Sequence, residues 1–363
     1  MRMVRLGVLG YGMMAQAHLI GLQSVNRARV VAIAGPNMSR ARAVAETHSV
    51  PTVYADEHEL VADPDVDAVV IASPDDQHYP QTMTAIEAGK HVFVEKPVAL
   101  NAVQARKMVM AARTVGVQTA VGFTLRWNPI VEHMRAMVEA GELGEIVSVH
   151  AQRFNSRLLG PLPHMEWRYD PNRSGTGVLG DLGSHMIDLA QYLAGPIEAV
   201  SADIAKVIPD ALDSDNEKKV PLTLDDDVVL AIRFANGAHG TIASSRVGVV
   251  DSHEPLGRSS FLINGTRAGV LTDGILHAAI HRLGHEPEPI HPNLPFGGAD
   301  HAGILAVFGE RMMDGFVRAI LNDSEVPPTM SDGLRVQEVI DTAVEAARTG
   351  RWMTVSDVRD ASG

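Results

Sequence analysis

The chain has 363 residues, 45% hydrophobic and 21% charged, with a formal net charge of −13 and no cysteine. It is long enough for two globular domains, and the missing cysteine excludes disulfide scaffolds, thiolate metal sites and cysteine nucleophiles. The acidic balance argues against nucleic acid, and no apolar run approaches the roughly 20 residues that span a bilayer.

The N-terminus leads directly into an apolar strand over 4–9, so no signal peptide is read and a cytoplasmic location is expected. That strand meets Gly10-Tyr11-Gly12-Met13-Met14-Ala15, and a helical pattern follows over 13–25. Strand, glycine turn and helix is the order that a dinucleotide pyrophosphate needs. Gly10 permits the tight turn, Gly12 lets backbone approach the phosphates, and Ala15 is small enough for the helix to pack on the strand. Residues 10–14 are therefore candidate cofactor contacts.

Further apolar runs at 29–34, 67–72, 91–94 and 117–121 alternate with helical stretches near 39–47, 77–88 and 101–115. Continuous apolar strands between helices predict a doubly wound parallel α/β sheet, here in a first domain over 1–123. Sites in such sheets open beyond the carboxyl ends of the strands. After the second strand an NAD site usually places Asp or Glu. This chain reads Gly35-Pro36-Asn37-Met38-Ser39-Arg40 instead, with amide, hydroxyl and guanidinium groups suited to a 2′-phosphate. NADP is the preferred cofactor and NAD the alternative, while a solvated Arg40 with Ser39 as helix cap stays open. Ser73-Pro74 and His78 follow the run at 67–72 as cofactor candidates, with His78 equally readable as a packed helix-start residue. Glu95-Lys96-Pro97 follows the next, where a charged pair before a proline is held extended. A crevice role and a surface ion pair both fit that spacing.

From 124 to 363 a second domain is expected. A helix opens at Pro129, a strand follows over 146–152, and 153–180 lacks a clear period. Asp181 and His185, at i and i+4, share one helical face, where a carboxylate beside an imidazole suits proton transfer. A core histidine satisfied by that carboxylate fits the spacing too. The stretch 197–272 is strand-like with a hairpin at Asn236-Gly237, 284–298 reads as an irregular loop, and helices close the chain near 302–322 and 332–349. The large sheet is expected to be open and mostly antiparallel. No metal site is signalled.

Together these residues resemble the glucose–fructose oxidoreductase/inositol dehydrogenase (Gfo/Idh/MocA) family. The likeness rests on Gly10-x-Gly12-x-x-Ala15-x-x-His18, Ala88-Gly89-Lys90-His91-Val92-x-Val94-Glu95-Lys96-Pro97 and Arg126-x-Asn128-Pro129. It continues through Gly141-x-x-Gly144-Glu145 and Gly175-x-Gly177-x-Leu179-x-Asp181-x-Gly183-x-His185-x-x-Asp188. The resemblance implies hydride transfer between NAD(P) and a secondary alcohol or ketone of a sugar, inositol or related polyol. It implies that Lys96 hydrogen-bonds the reacting oxygen, that His185 is the general acid/base, and that Asp181 positions the substrate and orients the histidine. It also implies a homodimer or homotetramer formed through the C-terminal sheet. Glu95 and Lys96 join the expected cofactor contacts, and Arg126, His164, Trp167 and Arg168 the expected substrate contacts. An NAD-dependent glycosidase working by transient oxidation, and a non-catalytic nucleotide-sensing regulator, are the competing readings.

Overall fold

A computed structural model describes residues 2–213, 217–248, 258–273, 277–291 and 301–361, with the side chains of 308–358 in the last stretch. The chain forms two compact units, Met1–Trp127 with Gly298–Leu334, and Asn128–Gly297 with Arg335–Gly363. Among the described residues no helix is long and apolar enough to cross a membrane.

The first unit alternates β1 (Val4–Leu9), α1 (Met13–Ser24), β2 (Ala28–Ala34), α2 (Met38–Thr47), β3 (Thr52–Tyr54) and α3 (Glu57–Ala62). It continues with β4 (Ala68–Ile71), α4 (Asp75–Glu87), β5 (His91–Val94), α5 (Ala102–Val115) and β6 (Thr119–Val121). The six strands form one parallel sheet in the order β3-β2-β1-β4-β5-β6. β4 is buried throughout and β1 nearly so, which is why they read as unbroken apolar runs. Polar side chains set the helix starts: Asn101 accepts the Gln104 N–H at the head of α5, and Gly116 ends that helix in the left-handed region. The short β3 and α3 gave no sequence signal.

The second unit opens with α6 (Pro129–Glu139), whose N-cap Asn128 accepts the Ile130 N–H. Then come β7 (Ile146–Phe154), a 3₁₀ turn at Trp167–Tyr169, α7 (Pro171–Ser174), a π-helical turn at Leu179–Gly183 and α8 (Ser184–Ala194). Strands follow as β8 (Ile197–Ala205), β9 (Asp210–Leu212), β10 (Lys219–Pro221), β11 (Asp227–Phe234), β12 (His239–Ser245), β13 (Arg258–Gly265), β14 (Gly269–Thr272), β15 (Ala278–His281) and β16 (Glu288–Ile290). The chain ends with α9 (His301–Asn322), α10 (Met330–Thr349), β17 (Met353–Thr354) and α11 (Val355–Ala361).

Among the described residues nine strands make one sheet in the order β16-β15-β14-β13-β7-β12-β11-β8-β17, while β9 and β10 pair separately. All neighbours in the large sheet are antiparallel except β7 and β12. Asn236-Gly237 turns β11 into β12, with Gly237 at φ 88°. The alternation of inward and outward residues is clear in β11, where Val228, Leu230, Ile232 and Phe234 are buried and Val229 and Arg233 exposed.

Two features differ from the sequence reading. Part of 284–298 is the strand β16, in which Pro289 is tolerated because β16 is the sheet's edge; residues 292–298 lie outside the described residues. The second domain was expected to run unbroken to the C-terminus, yet α9 packs on α1. Met312, Met313, Phe316, Val317 and Ile320 share one core with Val4, Leu6, Val8 and Leu19.

Candidate active site

The glycine turn has the geometry of an anion cradle. Gly10 sits at φ +107°, and a Cβ there would stand 2.6 Å from the Ala72 carbonyl oxygen. Gly12 starts α1 with no side-chain cap and no acid in the first turn, and a Cβ on it would meet nothing within 4 Å. The first amides of α1 are thus left for a ligand, and the approach to them is open. Met13 is exposed and Met14 half-buried on that first turn. These residues fit a dinucleotide pyrophosphate.

Beyond β2 the structure supplies a second reason for Gly35. The Tyr11 ring lies over it, so that a Cβ at residue 35 would come 2.7 Å from the Tyr11 Cδ1. The Asn37 N–H donates to the Tyr11 hydroxyl at 3.2 Å, and the Arg40 guanidinium stands 5.2 Å from the ring centroid. Asn37, not Ser39, caps α2, accepting the Arg40 N–H at 3.0 Å. Ser39 and Arg40 are exposed.

Sheet register aligns the next loops with the glycine turn. Leu9 pairs with Ile71 and Ile71 with Val94, so Gly10, Ala72-Ser73 and Glu95-Lys96 emerge side by side along one edge. Ser73 Oγ donates to Gln81 Oε1 at 2.7 Å, and Pro74 is the N-cap of α4. His78 is buried, with Nδ1 2.7 Å from the Pro97 carbonyl and Nε2 3.0 Å from that of Ser73. It ties the two loops together, and burial lowers its pKa against the pull of those carbonyls. Glu95 is buried beside His18, whose Nε2 lies 2.7 Å from Glu95 Oε1. The Lys96 N–H donates to Glu95 Oε2 at 3.1 Å. A Cβ at Gly122 would stand 2.6 Å from Glu95 Oε1, so the carboxylate needs glycine there. Burial would raise the Glu95 pKa, but the bond and charge of His18, then Lys96, hold it below its ordinary value. Half-buried Lys96 thus follows a carboxylate locked from both sides. Arg126, read as a substrate contact, is buried, and its Nη2 donates to Asp332 at 3.2 Å.

In the second unit, Asp181 lies in the π-helical turn and His185 in the first turn of α8, where a regular α-helix was expected to carry both. Such turns inside helices are frequent at functional sites. No local side chain caps this segment; Asp225 does so from the distant loop before β11. The Gly177 and Leu179 N–H groups each donate to its carboxylate at 2.7 Å. Gly177 is required because a Cβ there would overlap the Asp225 carbonyl. His185 is 7% exposed, and Asp181 accepts from Arg246 Nη2 at 3.0 Å. Neither Arg246 nor Asp225 was visible as a site residue in the sequence, because both belong to strand ends far along the chain. In the long loop, exposed His164 bridges to Leu212 of β9. Arg168 stacks on Trp167, its guanidinium 4.3 Å from the ring centroid, and lies 3.7 Å from Glu166.

A parallel sheet whose helix N-terminus and loops form an anion cradle, followed by a large mixed sheet, defines a dinucleotide-binding oxidoreductase. The sequence matches the profile of the oxidoreductase family GFO/IDH/MocA, NAD-binding Rossmann fold, over residues 4–123. The GFO/IDH/MocA C-terminal domain matches over 131–271. The chain belongs to this family and is a nicotinamide-dependent dehydrogenase or reductase. It is 28% identical to levoglucosan dehydrogenase of Pseudarthrobacter phenanthrenivorans, over 99% of this chain and 100% of that one. It is 31% identical to myo-inositol 2-dehydrogenase of Thermotoga maritima, over 68% of this chain and 70% of that one. The solved complex of levoglucosan dehydrogenase with NADH and levoglucosan superimposes with a TM-score of 0.89 at 26% identity, covering 98% of this chain and 100% of that one.

Proposed function

We propose that the protein transfers a hydride between a nicotinamide cofactor, NADP in preference to NAD, and a secondary alcohol or ketone of a sugar, inositol or related polyol. One observation carries the reading. The open turn before α1 and the Glu95-Lys96-Pro97 loop emerge from the same edge of the sheet, two strands apart, or about 10 Å. That is a span a dinucleotide bridges between its pyrophosphate and its nicotinamide. The relatives named for levoglucosan and myo-inositol support the substrate class.

Gly10 to Met14 hold the pyrophosphate on the amides of α1, and Asn37, Ser39 and Arg40 receive the ribose end, with no carboxylate at residue 35 to repel a 2′-phosphate. Ser73, Pro74 and His78 shape the neighbouring loop. The nicotinamide, when bound, supplies or accepts the hydride. Lys96 donates to the reacting oxygen, and His185 takes or returns its proton. Asp181 positions the substrate, assisted by Arg168, Trp167, His164 and Arg126. The outer face of the large sheet bears Val229, Ala231, Ala243, Leu262 and Leu271 and supports association into a homodimer or homotetramer.

A screen of sugars and polyols with NADPH, NADH and their oxidised forms, read by the absorbance of the reduced nicotinamide, tests the reaction. Lys96→Met should lower turnover about 10²- to 10⁴-fold, the range for a positioned proton-transfer group. Cofactor affinity should stay within a few-fold. Wild-type turnover in that variant removes the assignment.

A further inference from the structure

The inner face of the nine-stranded sheet holds a charge that the mechanism above does not use. Arg153 closes the buried row Val149, Ala151, Arg153 of β7 and is 8% exposed. Among the described residues its Nε and Nη1 have no hydrogen-bond partner. Its register partner on the parallel neighbour β12 is Ser244, and Arg246, two residues further on, holds Asp181. The π-helical turn lies directly above: a Cβ on Gly183 would stand 3.7 Å from Ser244 Oγ. Arg153 therefore rises from the sheet beneath the turn that bears Asp181. Ser244 Oγ and Arg246 Nε, in the same layer, likewise find no partner among the described residues.

A guanidinium cannot shed its proton to relieve its burial, and a buried charge without a hydrogen-bonded counter-ion is costly. Asp181 already accepts from Arg246, so its charge is shared between two arginines. Burial lowers the Arg153 pKa against the pull of the Asp181 charge. Asp225, close in sequence to β11, is satisfied by the two backbone amides it caps. Neutral hydroxyls need no such group, since serines and amides would serve them. A planar fork of donors is matched to a carboxylate. The net negative charge of the whole chain does not oppose this, because exposed charges are screened beyond about 8 Å at physiological salt.

We propose that Arg153 is the receptor for an anionic group on the substrate, a carboxylate, so that the preferred substrates are sugar acids rather than neutral sugars. This rests on the sugar or polyol reading of the reaction. The test is calorimetric titration of D-gluconate, D-glucuronate, D-glucose 6-phosphate and D-glucose into the cofactor-loaded protein. At least one acid should bind about ten-fold or more tighter than glucose, the ratio that one charge-assisted hydrogen bond supplies. Arg153→Gln should abolish that ratio, leave glucose binding nearly unchanged and not lower the melting temperature, since it removes a costly buried charge, and Arg153→Lys should restore part of the ratio. Glucose binding as tightly as both acids, the phosphate exceeding both, or a ratio that survives Arg153→Gln each overturns the assignment. Turnover distinguishes the two readings: selective acid binding with no nicotinamide oxidation or reduction on any sugar would refute the proposed reaction and leave the Arg153 site standing.

Discussion

The phenol of Tyr11 occupies the space into which a side chain at residue 35 would grow, while its hydroxyl and ring face hold Asn37 and Arg40. An acid at 35, the usual reader of an unphosphorylated ribose, would have to displace that ring. Arg40→Ala should therefore weaken NADPH binding by at least about ten-fold, the worth of one guanidinium–phosphate hydrogen bond, and NADH binding far less. Fluorescence titration of both reduced cofactors measures this, and equal losses would remove the NADP preference. Glu95 gives a second prediction. Its folded pKa is depressed, so its contribution to stability is complete above the ordinary value of about 4.3 and is lost as the pH falls through the folded value. Melting temperatures of Glu95→Gln and wild type should differ most near neutral pH and converge in acid. A constant difference across that range would contradict an ionised Glu95 in the folded state.

At the scale of the element, the segment bearing Asp181 and His185 depends on a cap supplied from far along the chain. Asp225→Asn leaves one of the two amides facing a donor instead of an acceptor, a loss of about 1–3 kcal/mol. The melting temperature and kcat should fall together while cofactor affinity holds; an unchanged kcat would mean that Asp225 does not set the position of the turn. The strand–turn–helix at 4–24 was legible because each piece has a local cause: a buried apolar run, a positive-φ glycine, a small residue under a helix. The π-helical turn was not legible, since i and i+4 positions look alike in either helix type. The buried pairing of Arg126 was hidden for a related reason. Its partner Asp332 lies 206 positions away, and no spacing rule reaches that far.

For the whole molecule, the outward row on the large sheet predicts assembly. Replacing Val229 and Leu262 by Glu should reduce the mass seen by light scattering without lowering the melting temperature of the unit. An unaltered mass would place the subunit contact elsewhere. The sequence by itself determined the parallel sheet, the cofactor turn and the family, because these rest on contiguous patterns and on motifs read along a single strand, turn or helix. Only the tertiary structure decided that α9 returns to the first unit, that Tyr11 fills the space at Gly35, that Glu95 is locked by His18, that Arg246 holds Asp181, and that Arg153 lies in the sheet beneath the turn bearing Asp181. Each of these is a meeting of residues distant in the chain, set by how apolar faces bury one another and by which buried charges then find partners.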